Sequence, residues 1–407
     1  MTGRAALTFA IASVAAGLLN YSFQVHGAAV LDAAAFGRMS EWLAEVSVLS
    51  AIAPVAQFAS LEVRAPRSRL SAALAVVGLA SVVIVAAHIL AGYGAPRVVL
   101  GASSVVGAIV LYAVIGQLQA RLRLAEVAAA IFATAALRAS LPFAWPREVR
   151  EGGFLVAHAA ATFAGIVVAA ALGRRFLRAH ASEVEAPPLV PAVPPSSSER
   201  WRLHLLRPAL LAFATVAFPF RDVLVLSWAN DAATTGQFSR AALAARIVFF
   251  AGAAPIQVIL SHQRVSAETG QPGPPFVRLA ERWLAPSVIV GSLLLAAGVD
   301  MALLHTHGEE RVWLFASCLD AAVLIALVAE LQRLAAHRRL GAVAIAIGLA
   351  IASSAVGAAA ATLGSSSDER VSRYLLAAIG LDAIAFVVAR SQQPRSRSKL
   401  PAVGSPS

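Results

Sequence analysis

Apolar stretches of roughly 18 to 25 residues recur from one end of the chain to the other, each long enough to cross about 30 Å of hydrocarbon as a helix. The pattern predicts helices over 5–24, 39–62, 70–92, 97–119, 124–143 and 152–173, then over 208–229, 237–262, 281–304, 311–333, 340–363 and 371–390. Twelve spans leave no room for a large soluble domain. Lipid offers no partner to unpaired backbone groups, so the fold class is all-α, a polytopic membrane protein. The residues before the second span, 32–38, read as a polar turn around Phe36-Gly37. Arg4 gives the first span the look of a signal peptide, but no cleavage site precedes its polar end at Asn20-Tyr21, so it is read as retained.

The longest internal break in the apolar pattern is 174–207. Prolines at 187, 188, 191, 194 and 195, followed by three serines, predict an extended linker there. Its last part, Arg200-Trp201-Arg202 through Arg207, reads as a segment lying in the headgroup interface. The linker divides the chain into an N-terminal bundle of six helices (1–173) and a C-terminal bundle of six (208–390). The polar, basic tail 391–407 is expected to be disordered.

The two halves repeat one another. "FGRMSEWLAEVSVLSAIAPVAQ" (36–57) aligns with "TGQFSRAALAARIVFFAGAAPIQ" (235–257): Gly37 with Gly236 and Ser40 with Ser239 at an offset of 199, Pro54 with Pro255 at 201. Both copies sit in the second helix of their half.

Composition supports the pattern: 59% of residues are hydrophobic, 14% are charged, and the mean hydropathy is +0.74. The net charge of +11 does not point to nucleic acid, because the arginines lie in short loops rather than on one face. With the N-terminus taken as internal, the even-numbered loops and both tails hold 22 of the 33 basic residues and the odd-numbered loops seven. That asymmetry orients both termini and the linker toward the cytoplasm. Cys318 is the single cysteine, so no intramolecular disulfide forms, and the only lysine is Lys399 in the tail, so a P-loop is absent. No hydrolase or metalloprotease motif stands out, and neither an enzyme activity nor a cofactor is expected.

Charges inside predicted spans are costly and mark candidate sites. Arg138 lies in the fifth helix. Arg221 and Asp222 lie in the seventh, just after Pro219; as neighbours about 100° apart they are expected to need partners elsewhere. Arg138, Arg221, Asp222 and Arg246 are the candidates for substrate binding, because guanidinium groups grip phosphate. Asp320 and Asp382 are mid-helix carboxylates suited to ion coupling. Glu41 and Glu45, one turn apart, align with Arg240 and Arg246, and a contact between the two sets is expected to close the outer gate.

Asn20-Tyr21, Phe36-Gly37, Asp222, Gly236, Phe238-Ser239 and Arg246-Ile247 resemble positions of the MOP superfamily of multidrug, oligosaccharidyl-lipid and polysaccharide exporters, most of all its Wzx-type O-antigen flippase branch. The family often carries an aspartate at Asp222; its Gly-x-Tyr-Ser segment here has Phe238 in place of tyrosine. The resemblance implies two six-helix bundles facing across a cavity in a bacterial inner membrane. It implies a flippase for a lipid-linked oligosaccharide working by alternating access, with the bilayer and other glycan-assembly membrane proteins as partners and no nucleic acid. The rivals are a drug/cation antiporter of the same superfamily and a non-transporting enzyme or scaffold of glycan assembly.

Overall fold

The computed structural model describes residues 3–51, 94–120, 123–145, 150–179, 198–269, 308–336 and 339–392, with isolated positions between 53 and 57 and between 290 and 300. The expected helices 70–92 and 281–304, most of the linker and the tail beyond Gln392 lie outside these. Every regular element among the described residues is a helix: α1 (Gly3–Val30), α2 (Ala33–Ser50), α3 (Ala95–Ala120), α4 (Leu124–Ser140), α5 (Arg150–Ala179), α6 (Ser198–Ala229), α7 (Ala232–Thr269), α8 (Glu309–Ala336), α9 (Leu340–Thr362) and α10 (Ser367–Ser391), with a 3₁₀ turn at Leu141–Ala144. Six of them, α3, α4, α5, α8, α9 and α10, are long and apolar enough to cross a membrane. The helices that carry Glu41, Glu45, Arg221, Asp222, Arg240 and Arg246 are not among the six.

Several boundaries differ from expectation: α1 runs to Val30, α5 continues to Ala179 inside the expected linker, and α7 spans Ala232–Thr269 rather than the expected 237–262. The segment 32–38 is no turn: α2 starts at Ala33 because the Asp32 carboxylate accepts the Ala35 N–H at 2.7 Å, an N-cap that fixes the first turn. Trp201 through Arg207 belongs to α6, which begins at Ser198 and continues without interruption to Ala229. At 1.5 Å per residue this helix is about 48 Å long, so its first turns extend beyond a hydrocarbon core of about 30 Å.

The repeat is carried by local geometry as well as by the aligned letters. Asp231 accepts the Thr234 N–H at 2.7 Å and starts α7 as Asp32 starts α2, again at an offset of 199. Arg123 before α4 and Arg339 before α9 have the same backbone angles, φ −88° and ψ 59° against −89° and 60°. Each donates its N–H to a leucine carbonyl five residues back at 2.9 Å, Leu118 in one half and Leu334 in the other. Helix partners repeat too: α1 packs on α4 as α6 packs on α9, and α5 lies on α3 and α4 as α10 lies on α8 and α9.

The halves join along α2, which packs on α7 and α6. Gly37 and Gly236 meet near the N-terminal ends of α2 and α7. A Cβ on Gly37 would overlap the carbonyl oxygen of Ala232 and lie 2.9 Å from the Gly236 nitrogen; one on Gly236 would overlap the Ala33 oxygen and lie 3.0 Å from the Gly37 nitrogen. Only glycine at both positions admits this backbone-to-backbone crossing, the form helix association takes where lipid supplies no hydrophobic drive. One helical turn or two further on, Ala44 packs into the C-terminal core and Leu243 into the N-terminal core. They too are 199 residues apart, so each half receives one side chain from the other at the same repeat position.

Candidate functional site

In the C-terminal half three aspartates gather around Arg221. The Arg221 Nε donates to Asp222 Oδ1 at 3.0 Å. Nη1 donates to Asp382 Oδ1 at 3.0 Å, to the Ser353 hydroxyl at 3.1 Å and to the Ala350 carbonyl at 3.2 Å. Nη2 reaches Asp320 Oδ2 at 3.1 Å and also Asp382 Oδ2. The Ser353 hydroxyl donates to Asp382 Oδ1 at 2.8 Å and the Tyr374 hydroxyl to Asp222 Oδ1 at 2.7 Å. Asp320 and Asp382 are fully buried, and Arg221 is 7% exposed. Four helices thus supply one cluster: Arg221 and Asp222 from α6, Asp320 from α8, Ser353 from α9, Asp382 and Tyr374 from α10. With every carboxyl ionised it would carry three negative charges against one positive. Asp320 Oδ1 is buried without a hydrogen bond.

Arg221 and Asp222 find the partners elsewhere that their positions call for, Arg221 in Asp320 and Asp382 and Asp222 in Tyr374, and they also bond to each other, since the long arginine side chain curls back to bring Nε against the adjacent carboxylate. All three nitrogens of Arg221 are also spent within the protein, which leaves this arginine no free donor for a cargo. Asp222 is the cluster member nearest solvent, with 16% of its side chain exposed.

The N-terminal half has a buried arginine in a different setting. Arg138 on α4 donates from Nη1 to Asn20 Oδ1 on α1 at 3.0 Å and from Nη2 to the Thr162 hydroxyl on α5 at 3.4 Å, and its Nε has no partner. Among the described residues no carboxylate pairs with it. Nearby His158 lies edge-on to Trp42 at 5.5 Å between ring centroids. The acids of this half sit elsewhere: Glu151 holds Arg38 at 2.7 Å and also Arg97, tying α2, α3 and α5 together, and Glu126 pairs with Arg123.

Arg246 on α7 stands where the halves meet. It is 4% exposed, with its Nη1 donating to Gln24 Oε1 on α1 and its guanidinium 5.0 Å from the Phe220 ring centroid on α6. Its Nε and Nη2 are buried and unpartnered, and among the described residues no carboxylate forms an ion pair with it. The contact expected between Glu41 or Glu45 and Arg240 or Arg246 is not made. Arg240 instead donates to the Leu31 carbonyl at 2.9 Å and lies 6.0 Å from the Phe36 ring. What closes α2 on α7 is the glycine crossing.

Ser353, Tyr374 and Gln24 escaped the sequence reading. Neutral polar residues are common in membrane helices, and none of these three lies near its charged partner in the chain. The caps Asp32 and Asp231 did leave a signal, a shared Asp-Ala-Ala ahead of each aligned glycine.

No family model matches this chain, and no curated protein matches it. Solved structures do. The eukaryotic MATE transporter AtDTX14 is 13% identical, with a TM-score of 0.58 over 96% of this chain and 94% of that one. A MATE protein in a straight conformation is 15% identical, with a TM-score of 0.58 over 95% and 94%. A MOP superfamily transporter from Pyrococcus furiosus, described as having a binding pocket of reverse polarity that suggests a different function, is 13% identical, with a TM-score of 0.54 over 95% and 94%. At such identities the likeness concerns the fold: this chain has the polytopic helical fold of MATE transporters of the MOP superfamily.

Proposed function

We propose that the protein is an alternating-access transporter of an anionic, phosphate-bearing cargo, a lipid-linked oligosaccharide or related glycan precursor, moved from the cytoplasmic to the outer leaflet. The observation that carries this is Arg246. A guanidinium at the junction of the halves, with two buried nitrogens unpartnered and, among the described residues, no carboxylate hydrogen-bonded to it, is a costly arrangement unless an anion completes it. Arg138 offers a second such group within the N-terminal half. Asp222 is the member of the Arg221 cluster nearest solvent, and Asp320 and Asp382 are the carboxylates through which an ion gradient would act. A second reading, a cation antiporter, draws support from the acidic excess around Arg221.

The test is transport by the reconstituted protein. Vesicles holding a fluorescent short-chain polyprenyl pyrophosphate-linked sugar should show protein-dependent movement of the label between leaflets. Arg246→Gln should lower the rate about tenfold to a hundredfold, the value of one lost charged hydrogen bond of about 1.5–3 kcal/mol. Movement of ethidium and none of the glycolipid would replace this reading with the antiporter.

A further inference from the structure

We propose that Arg221 is a resident cation. It fills the position between Asp222, Asp320 and Asp382 that a metal ion would otherwise take, so the C-terminal half takes up no free metal cation. The proposal rests on reading the cluster as the ion-responsive part of a transporter and says which cation that part cannot use.

Six oxygens converge on the guanidinium: Asp222 Oδ1, Asp320 Oδ2, both oxygens of Asp382, the Ser353 hydroxyl and the Ala350 carbonyl. Carboxylates, a hydroxyl and a main-chain carbonyl in that number form the donor set of a hard cation site. Here the cation is covalently attached. A guanidinium does not deprotonate in proteins, so it cannot leave as a neutral group, and its tether keeps it from exchanging with solvent. Its five N–H donors are spread over a flat fork, so the surrounding oxygens stand apart at the spacing of that fork rather than around one point. Sodium entering beside it would meet a fixed positive charge. The Phe218 ring, 5.9 Å from the guanidinium carbon, closes one further approach.

Shortening Arg221 would therefore leave a vacated oxygen shell lined by three uncompensated carboxylates, and that shell should accept a small soluble cation of the lost shape. The experiment is thermal unfolding of the purified full-length protein in detergent at constant ionic strength. For the natural chain the midpoint should be the same in sodium chloride as in choline chloride. Arg221→Ala should unfold at a lower temperature, and low millimolar guanidinium, far below denaturing levels, should raise its midpoint saturably. At ten times the dissociation constant the rise should be about 2 °C. Where Arg221→Ala does not give folded protein, the double variant with Asp320→Asn has one uncompensated carboxylate fewer and serves for the same titration. A saturable rise of the natural chain's midpoint with sodium would overturn the proposal, and so would a variant that responds to no small cation. Neither result depends on transport, so failure here is distinct from failure to move glycolipid or ethidium.

Discussion

The two halves are built on one plan and buried around opposite charges. In each, a helix pair (α1 with α4, α6 with α9) holds an arginine against a neutral polar group, Arg138 against Asn20 in one and Arg221 against Ser353 in the other. In the C-terminal half three aspartates surround the arginine; in the N-terminal half no carboxylate among the described residues pairs with it. The cores differ in the same sense. Among the described residues, those of the C-terminal half pack as one continuous cluster around α8, whose span is 67% buried, while those of the N-terminal half form two smaller clusters. A duplicated scaffold thus tolerates inversion of its buried charge because the packing that defines it lies elsewhere, in the repeated caps, turns and glycine crossing.

One substitution made at both centres gives the most direct test. Arg221→Gln leaves three buried carboxylates without their cation and should cost about 3–5 kcal/mol, as breaking a buried ion pair does. Thermal unfolding and the yield of monodisperse protein would register it. Arg138→Gln removes a buried charge that is bonded to Asn20 and Thr162 and, among the described residues, to no carboxylate, and exchanges those bonds for amide ones. Its effect on stability should be within about 1.5 kcal/mol, the value of one neutral hydrogen bond. Equal losses at the two positions would mean that the contrast between the halves has no energetic content.

Where the halves are alike they should respond alike. Asp32→Ala and Asp231→Ala each remove an N-cap and should each cost about 1 kcal/mol, measured as matched falls in the unfolding midpoint. The Asp231 side has a pH signature. The Thr234 backbone N–H bonded to it holds its carboxyl below the usual value. A depressed folded value means that the stabilisation is complete above the unfolded carboxyl's pKa of about 3.9 and is lost as pH falls through the folded value. The difference between the natural chain and Asp231→Ala should therefore be constant from neutral pH down to about pH 4 and shrink below it. The carboxylate is exposed, so this is the smallest effect of the set.

Much of the architecture was legible in the letters because it depends on local pattern. Span-length apolar runs gave the helices, and Gly37 with Gly236 and Ser40 with Ser239 gave the duplication. Arg138, Arg221, Asp222, Arg246, Asp320 and Asp382 stood out as charges within apolar runs. Their partners were not legible. Arg221 finds Asp320 and Asp382 at separations of 99 and 161 residues, set by how α6, α8 and α10 pack, which no periodicity encodes. Glu41 aligns with Arg240 in the repeat, yet aligned positions need not touch. On a two-fold axis only residues at the crossing itself meet their counterparts, and there the chain has glycine.

That crossing also sets a schedule for biogenesis. During synthesis at roughly 5–20 residues per second, residue 236 is made about 10 to 40 seconds after residue 37. Throughout that interval α2 is in the bilayer with its glycine groove covered by neither α7 nor α6, and the site that will receive Leu243 stands open. The first half is therefore without its packing partner until the eighth expected span, α7, has been made.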